Sequence, residues 1–151
     1  IPFIFDPGQG LPMFNGEELL TFVEQATWVT VNDYEGRMLK ERTGKSLEEI
    51  ATMVDALIVT KGGEGSDIYV DGQVIEIPTA KVDELKDPTG CGDAFRAGLL
   101  YGIEHQFDWD VTGRIASLCG AIKIEKHGTQ NHTFSMTEFR ERYRASFGSE
   151  F

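Results

Sequence analysis

The segment Asp87-Pro-Thr-Gly-Cys-Gly-Asp-Ala-Phe-Arg-Ala-Gly98 sets two carboxylates around a Gly-X-Gly core and runs straight into a helix-like apolar pattern. Gly90 and Gly92 remove side chains where the backbone must turn and come close to a ligand. The first amides of a helix have no intrahelical acceptor, and the macrodipole makes that end attractive to anions. Gly90, Cys91 and Gly92 would then form an anion hole of main-chain donors, with Asp93 standing at the same helix start. A carboxylate beside an anion cradle suits one task, removing the proton of a hydroxyl as it attacks phosphorus. The competing reading is a Gly-rich turn before a helix, with Asp93 merely complementing the dipole.

Such a loop needs strands and helices to hold it. Residues 1–5 read as a short buried strand, ended by the turn chemistry of Asp6-Pro-Gly-Gln-Gly10. Asn15 can cap a helix carrying Leu19, Leu20, Phe22 and Val23 on its apolar side. Residues 28–31 form a second strand, followed by a helix over 33–42 that Gly44 can end. Ser46 and Glu49 form a capping box for a further short helix, and Ala56–Thr60 is a third buried strand. Residues 66–71 and 73–77 alternate apolar and polar around Asp71-Gly72, the signature of a hairpin. Residues 78–86 read as strand and loop leading to the Gly-rich segment. Three helices close the chain: one from Gly90 to about His105, one aligning Ile115, Leu118, Cys119 and Ile122, and one after a Ser135–Glu138 capping box. Strands alternating with helices predict an α/β fold with a mainly parallel sheet plus an antiparallel hairpin. Phosphate-binding loops belong beyond the carboxyl ends of such strands.

Composition narrows the functions. The 151 residues carry 14 Lys+Arg against 25 Asp+Glu, a formal charge of -11, which argues against nucleic acid or an anionic membrane surface as partner. Small anions stay open, because amides, Mg²⁺ and a few cations can hold phosphate on an acidic surface. No apolar run approaches a membrane span and no signal-peptide pattern opens the chain. The two cysteines, Cys91 and Cys119, have no metal-ligand spacing and read as reduced thiols of a cytoplasmic protein. The length fits one domain. The strand-like opening without an initiator Met leads us to expect a piece of a longer protein.

The Gly-rich segment resembles the second signature of the ribokinase-like (PfkB) carbohydrate kinases, Asp-Thr-x-Gly-Ala-Gly-Asp, with Pro88 and Cys91 as departures. Neither departure removes a group that an anion hole of amides requires. Other family-like motifs occur in the family's order. Asn32-Asp-Tyr-Glu35 resembles the Asn-x-x-Glu motif, which implies phosphate contact for Asn32 and Mg²⁺, through water, for Glu35. The same spacing is also a helix capping box. Thr60-Lys-Gly-Gly-Glu-Gly65 resembles the Thr-x-Gly-x-x-Gly loop, which implies nucleotide binding by Thr60, Lys61, Gly62 and Gly65; a tight turn is the plainer reading. In 125–132 the resemblance implies an adenine-side loop, with Gly128 at its turn and Gln130 and Asn131 bonding nucleotide. Asp87 and Thr89 are implied as ligands of a monovalent cation such as K⁺.

The resemblance covers nearly the whole chain and about the C-terminal half of such an enzyme. It implies a three-layer α/β/α ribokinase-like fold, with the acceptor-binding N-terminal part and lid outside this chain. The implied reaction is transfer of phosphate from ATP, with Mg²⁺, to a primary hydroxyl of a nucleoside or sugar. Asp6-Pro-Gly-Gln9 and the form of the Gly-rich motif resemble bacterial adenosine-kinase-like members, which puts adenosine narrowly ahead of ribose and fructose. The alternative is a non-catalytic nucleotide-binding or regulatory module of the same fold.

Overall fold

A computed structural model describes all residues, 1–151, as two compact units, Ile1–Glu76 and Ile77–Phe151. In the first, strands β1 (Ile4–Phe5), β2 (Trp28–Asn32), β3 (Ala56–Thr60), β4 (Ser66–Val70) and β5 (Gln73–Ile77) form one sheet in sequence order. β1, β2 and β3 run parallel, and β4 turns antiparallel to β3. The α/β class and the mainly parallel sheet with an added hairpin match the expectation from sequence. Asp71 and Gly72, at φ 51° and 72°, make the tight connection between β4 and β5, the backbone state that Asp-Gly favours.

The helices of this unit are α1 (Gly16–Gln25), α2 (Asp33–Thr43) and α3 (Leu47–Ala51). Each starts on a reciprocal capping box, Asn15/Glu18, Asn32/Glu35 and Ser46/Glu49. Leu19, Val23 and Leu39 from the helices pack with Val29, Val31, Leu57 and Val59 from the strands in one core. β2 and β3 are buried along almost their whole length, as parallel strands generally are. The first strand is shorter than residues 1–5, because only Ile4 and Phe5 pair with β2; Phe3 meets the sheet through its carbonyl, which accepts from Thr27 and Trp28 N–H.

The second unit holds α4 (Cys91–Glu104), α5 (Trp109–Ile124) and α6 (Met136–Phe147). Its core joins Ile115, Leu118 and Ile122 of α5 to Phe139 and Tyr143 of α6. α4 and α5 lie unusually close. A Cβ placed on Gly98 would fall 2.7 Å from the Ala116 Cα, and one on Gly102 would fall 2.6 Å from the Thr112 side chain. Gly98 and Gly102 share one face of α4, as Thr112 and Ala116 do on α5. Small residues on both faces therefore allow the backbones to touch.

The strand expected in residues 78–86 does not form. Three of its amides are held by side chains instead of a ladder: Ala80 N–H donates to Ser117 Oγ, Lys81 N–H to Ser146 Oγ and Asp83 N–H to Glu125 Oε1. These partners lie far along the chain and leave no local trace in the sequence.

Candidate active site

The start of α4 is built as the sequence predicts. Gly90 sits at the N-cap in the left-handed region, φ 83°, where a Cβ would be strained and would also crowd Thr129 at 3.2 Å. Cys91 N–H donates back to Pro88 O at 3.1 Å, and the helix ladder begins with Ala94 N–H on Gly90 O at 3.0 Å. Between them lie the amides of Gly92 and Asp93, with no side-chain cap at this helix start. Asp93 projects into solvent, its carboxylate 86% exposed, with Arg96 Nη1 3.7 Å from Oδ1. The Arg96 guanidinium lies over the first turn and comes within 2.6 Å of where a Gly92 Cβ would stand. Free amides, a cation and an exposed carboxylate thus share one helix end, whose dipole favours an anion. Arg96 escaped the sequence reading, because an Asp–Arg pair at i,i+3 looks like ordinary helix surface.

Asp87 fastens this turn to a second loop. Oδ1 accepts Thr89 N–H at 2.9 Å, and Oδ2 accepts Gly128 N–H at 2.8 Å. Those donations, the Thr89 amide foremost, hold the carboxyl well below its usual range, at about 2. The loop 128–131 is therefore set beside the Gly-rich turn, with Thr129 against Gly90 and Asn131 Nδ2 folded back onto His127 O at 2.9 Å. Gln130 is exposed. Glu125, where this loop begins, forms a bidentate pair with Arg142 of α6 at 2.8 and 2.7 Å, which lowers its pKa. Lys123, wholly buried in the last turn of α5, donates to Asp87 O at 2.7 Å and Lys126 O at 3.1 Å. The sequence signal for it, not singled out above, is a Lys inside the apolar run Ala121-Ile-Lys-Ile124. Cys91 is half-buried, and burial raises its thiol pKa.

The remaining candidates lie in the first unit, at the carboxyl ends of adjacent parallel strands, where Asn32 and Thr60 are direct partners in register. Asn32 and Glu35 close a capping box: Glu35 N–H donates to Asn32 Oδ1 at 2.7 Å, and Asn32 N–H to Glu35 Oε2 at 2.8 Å. Glu35 is 8% exposed, with only Oε2 committed in this way. One or two carboxylates suffice for Mg²⁺ when phosphate and water complete its shell; no group of three or more His, Cys, Asp or Glu stands ready to enclose a metal. After Thr60 the chain makes a 3₁₀ turn over Gly62–Glu64, closed by Lys61 N–H on Gly65 O at 2.8 Å. Gly65, at φ 89° and ψ -143°, holds a conformation nearly confined to glycine. Lys61 is ion-paired to Asp67 at 2.7 Å, which raises its pKa, so the charge expected at phosphate already has a carboxylate partner.

The first unit carries a strand-end glycine turn and the second an uncapped helix start with an exposed acid, within an α/β fold. Residues 5–135 match the pfkB family carbohydrate kinase, and the chain belongs to that family. It is 36% identical to a nucleoside kinase of Methanocaldococcus jannaschii over 138 residues, 91% of this chain and 46% of that protein. The nucleoside kinase of Burkholderia thailandensis, solved in complex with inosine, is 49% identical with a TM-score of 0.98, covering 100% of this chain and 50% of that one. Its complex with ADP-inosine gives a TM-score of 0.96 over 99% of this chain and 47% of the other. The chain thus spans about half the length of these relatives, and their fold is its fold.

Proposed function

We propose that this chain is the nucleotide-binding and catalytic part, the C-terminal half, of a kinase that transfers the terminal phosphate of ATP to a hydroxyl of a nucleoside. The observation that carries the reading is the exposed Asp93 carboxylate beside the uncapped amides of α4. In this reading Asp93 accepts the proton of the attacking hydroxyl. The anion hole expected at Gly90, Cys91 and Gly92 shifts by one residue, because Cys91 N–H is committed to Pro88 O; the Gly92 and Asp93 amides receive the negative charge that builds on the transferring group, and Arg96 adds a cation to the same helix end. Asp87 and Gly128 hold that turn in place, with Gln130 and Asn131 offering polar groups to the nucleotide. Asn32, Thr60, Lys61, Gly62 and Gly65 take the family's nucleotide-binding roles, and Glu35 is the residue that would hold Mg²⁺ through water. When bound, that ion would neutralise phosphate charge.

The acceptor we propose is a nucleoside as a class. The narrow lead for adenosine taken from Asp6-Pro-Gly-Gln9 gains no support from the comparisons: the relatives are named nucleoside kinases, and the Burkholderia enzyme was solved with inosine. The test is transfer of label from γ-labelled ATP by the full-length protein across a panel of nucleosides and simple sugars. Labelled nucleoside 5′-phosphates with little sugar phosphate is the expected result. Labelled sugar phosphate alone would overturn the acceptor class, and ATP binding without transfer to any acceptor would favour a non-catalytic module.

A further inference from the structure

Lys123 is wholly buried, yet its ammonium meets no carboxylate at ion-pair distance; it rests on two main-chain oxygens, of Asp87 and Lys126. Carbonyl oxygens gathered around a buried positive charge are the surroundings of a bound monovalent cation. The family resemblance places such a cation at Asp87 and Thr89. The groups at that place are already engaged: Oδ1 of Asp87 by the Thr89 amide, Oδ2 by the Gly128 amide and its carbonyl by Lys123. The charge of Lys123 also helps to lower the Asp87 pKa, after the amide donations. A second cation seated there would face the like charge of the Lys123 ammonium, held at 2.7 Å from the Asp87 carbonyl. K⁺ does not fit these residues.

We infer that the Lys123 ammonium is a built-in replacement for the monovalent cation, so that the protein is indifferent to K⁺. Lys123 is a positioning residue: it acts through Asp87, which ties the Gly-rich turn of α4 to the loop at Gly128. Its place in the last turn of α5 suits it, because the carbonyl end of a helix favours a cation. The close approach of α4 and α5 at Gly98 and Gly102 holds that end of α5 in place against the start of α4.

The consequence for turnover rests on the kinase reading; the consequence for stability does not. The full-length protein is compared in KCl, NaCl and choline chloride at equal ionic strength, reading Tm and initial rate. Wild type is expected to show the same Tm and rate in all three, since an ion that does not bind the folded state cannot shift its stability. Lys123→Met, which removes the charge but keeps the length, is expected to gain a K⁺ requirement, with Tm and rate rising several-fold above choline in the rate and by degrees in Tm. Lys123→Arg keeps the charge and is expected to stay indifferent. A wild-type Tm or rate that rises specifically with K⁺ overturns the inference. So does a Lys123→Met protein as stable as wild type and equally indifferent. If no acceptor is phosphorylated in any salt, the kinase reading fails while the Tm comparison still decides the role of Lys123. If Lys123→Met does not fold, the wild-type salt series decides it alone.

Discussion

Asp87 and Asp93 open and close one loop in different surroundings. Asp93 is left in solvent with one distant cation, as the general base proposed above requires. Asp87 accepts one amide on each oxygen and sits at about 2, below its ordinary 3.8. A depressed carboxyl pKa contributes stability that is complete above the unfolded value and is lost as pH falls through the folded one. The tie between Thr89 and Gly128 is therefore intact above pH 3.8 and released between 3.8 and about 2. Carboxyl-carbon NMR should find Asp87 titrating near the lower figure. Asp87→Asn, which puts an NH₂ group where one amide N–H now donates, should speed hydrogen exchange at Thr89 or Gly128 at neutral pH. A carboxyl titrating at 3.8, with exchange unchanged in the variant, would show that the two amides do not depend on it.

Helix–helix contact sets where the α4 start stands, and at Gly98 it brings α4 against the backbone of α5. Alanine is the better helix former by about 1 kcal/mol. Here its Cβ would meet the Ala116 backbone, Cα at 2.7 Å and N at 3.0 Å, which no rotamer change can relieve. Overpacking of this kind costs about 1–3 kcal/mol, so Gly98→Ala should lower the urea midpoint. Gly63, with nothing within 4 Å of its Cβ position, is the control and should accept alanine without loss. A Gly98→Ala protein as stable as wild type would contradict the close approach. Much at this scale was legible in the sequence, because it is local. The boxes at Asn32/Glu35, Ser46/Glu49 and Ser135/Glu138 and the Asp71-Gly72 turn each declare themselves within four residues. What was missed depends on partners distant in the chain: Asp87 with Gly128 and Lys123, and residues 78–86 with Ser117, Ser146 and Glu125. Spacing carries no record of such pairs.

Over the whole molecule, 25 acidic residues against 14 basic ones leave no excess of cations for a polyanion, and no helix is long and apolar enough to cross a membrane. Each unit has its own apolar cluster, and each carries part of the motif set: Asn32 to Gly65 in the first, Asp87 to Asn131 in the second. Because the chain spans about half of its relatives, activity is a property to be measured on the full-length protein. The decisive measurement there is nucleoside-dependent turnover of wild type and Asp93→Asn, with the Kd for ATP determined alongside. Loss of a general base lowers turnover by about 10²–10⁴-fold, so the variant should fall in that range while its Kd for ATP stays close to wild type. Near-normal turnover by Asp93→Asn would contradict the account and remove the carboxylate from the chemistry.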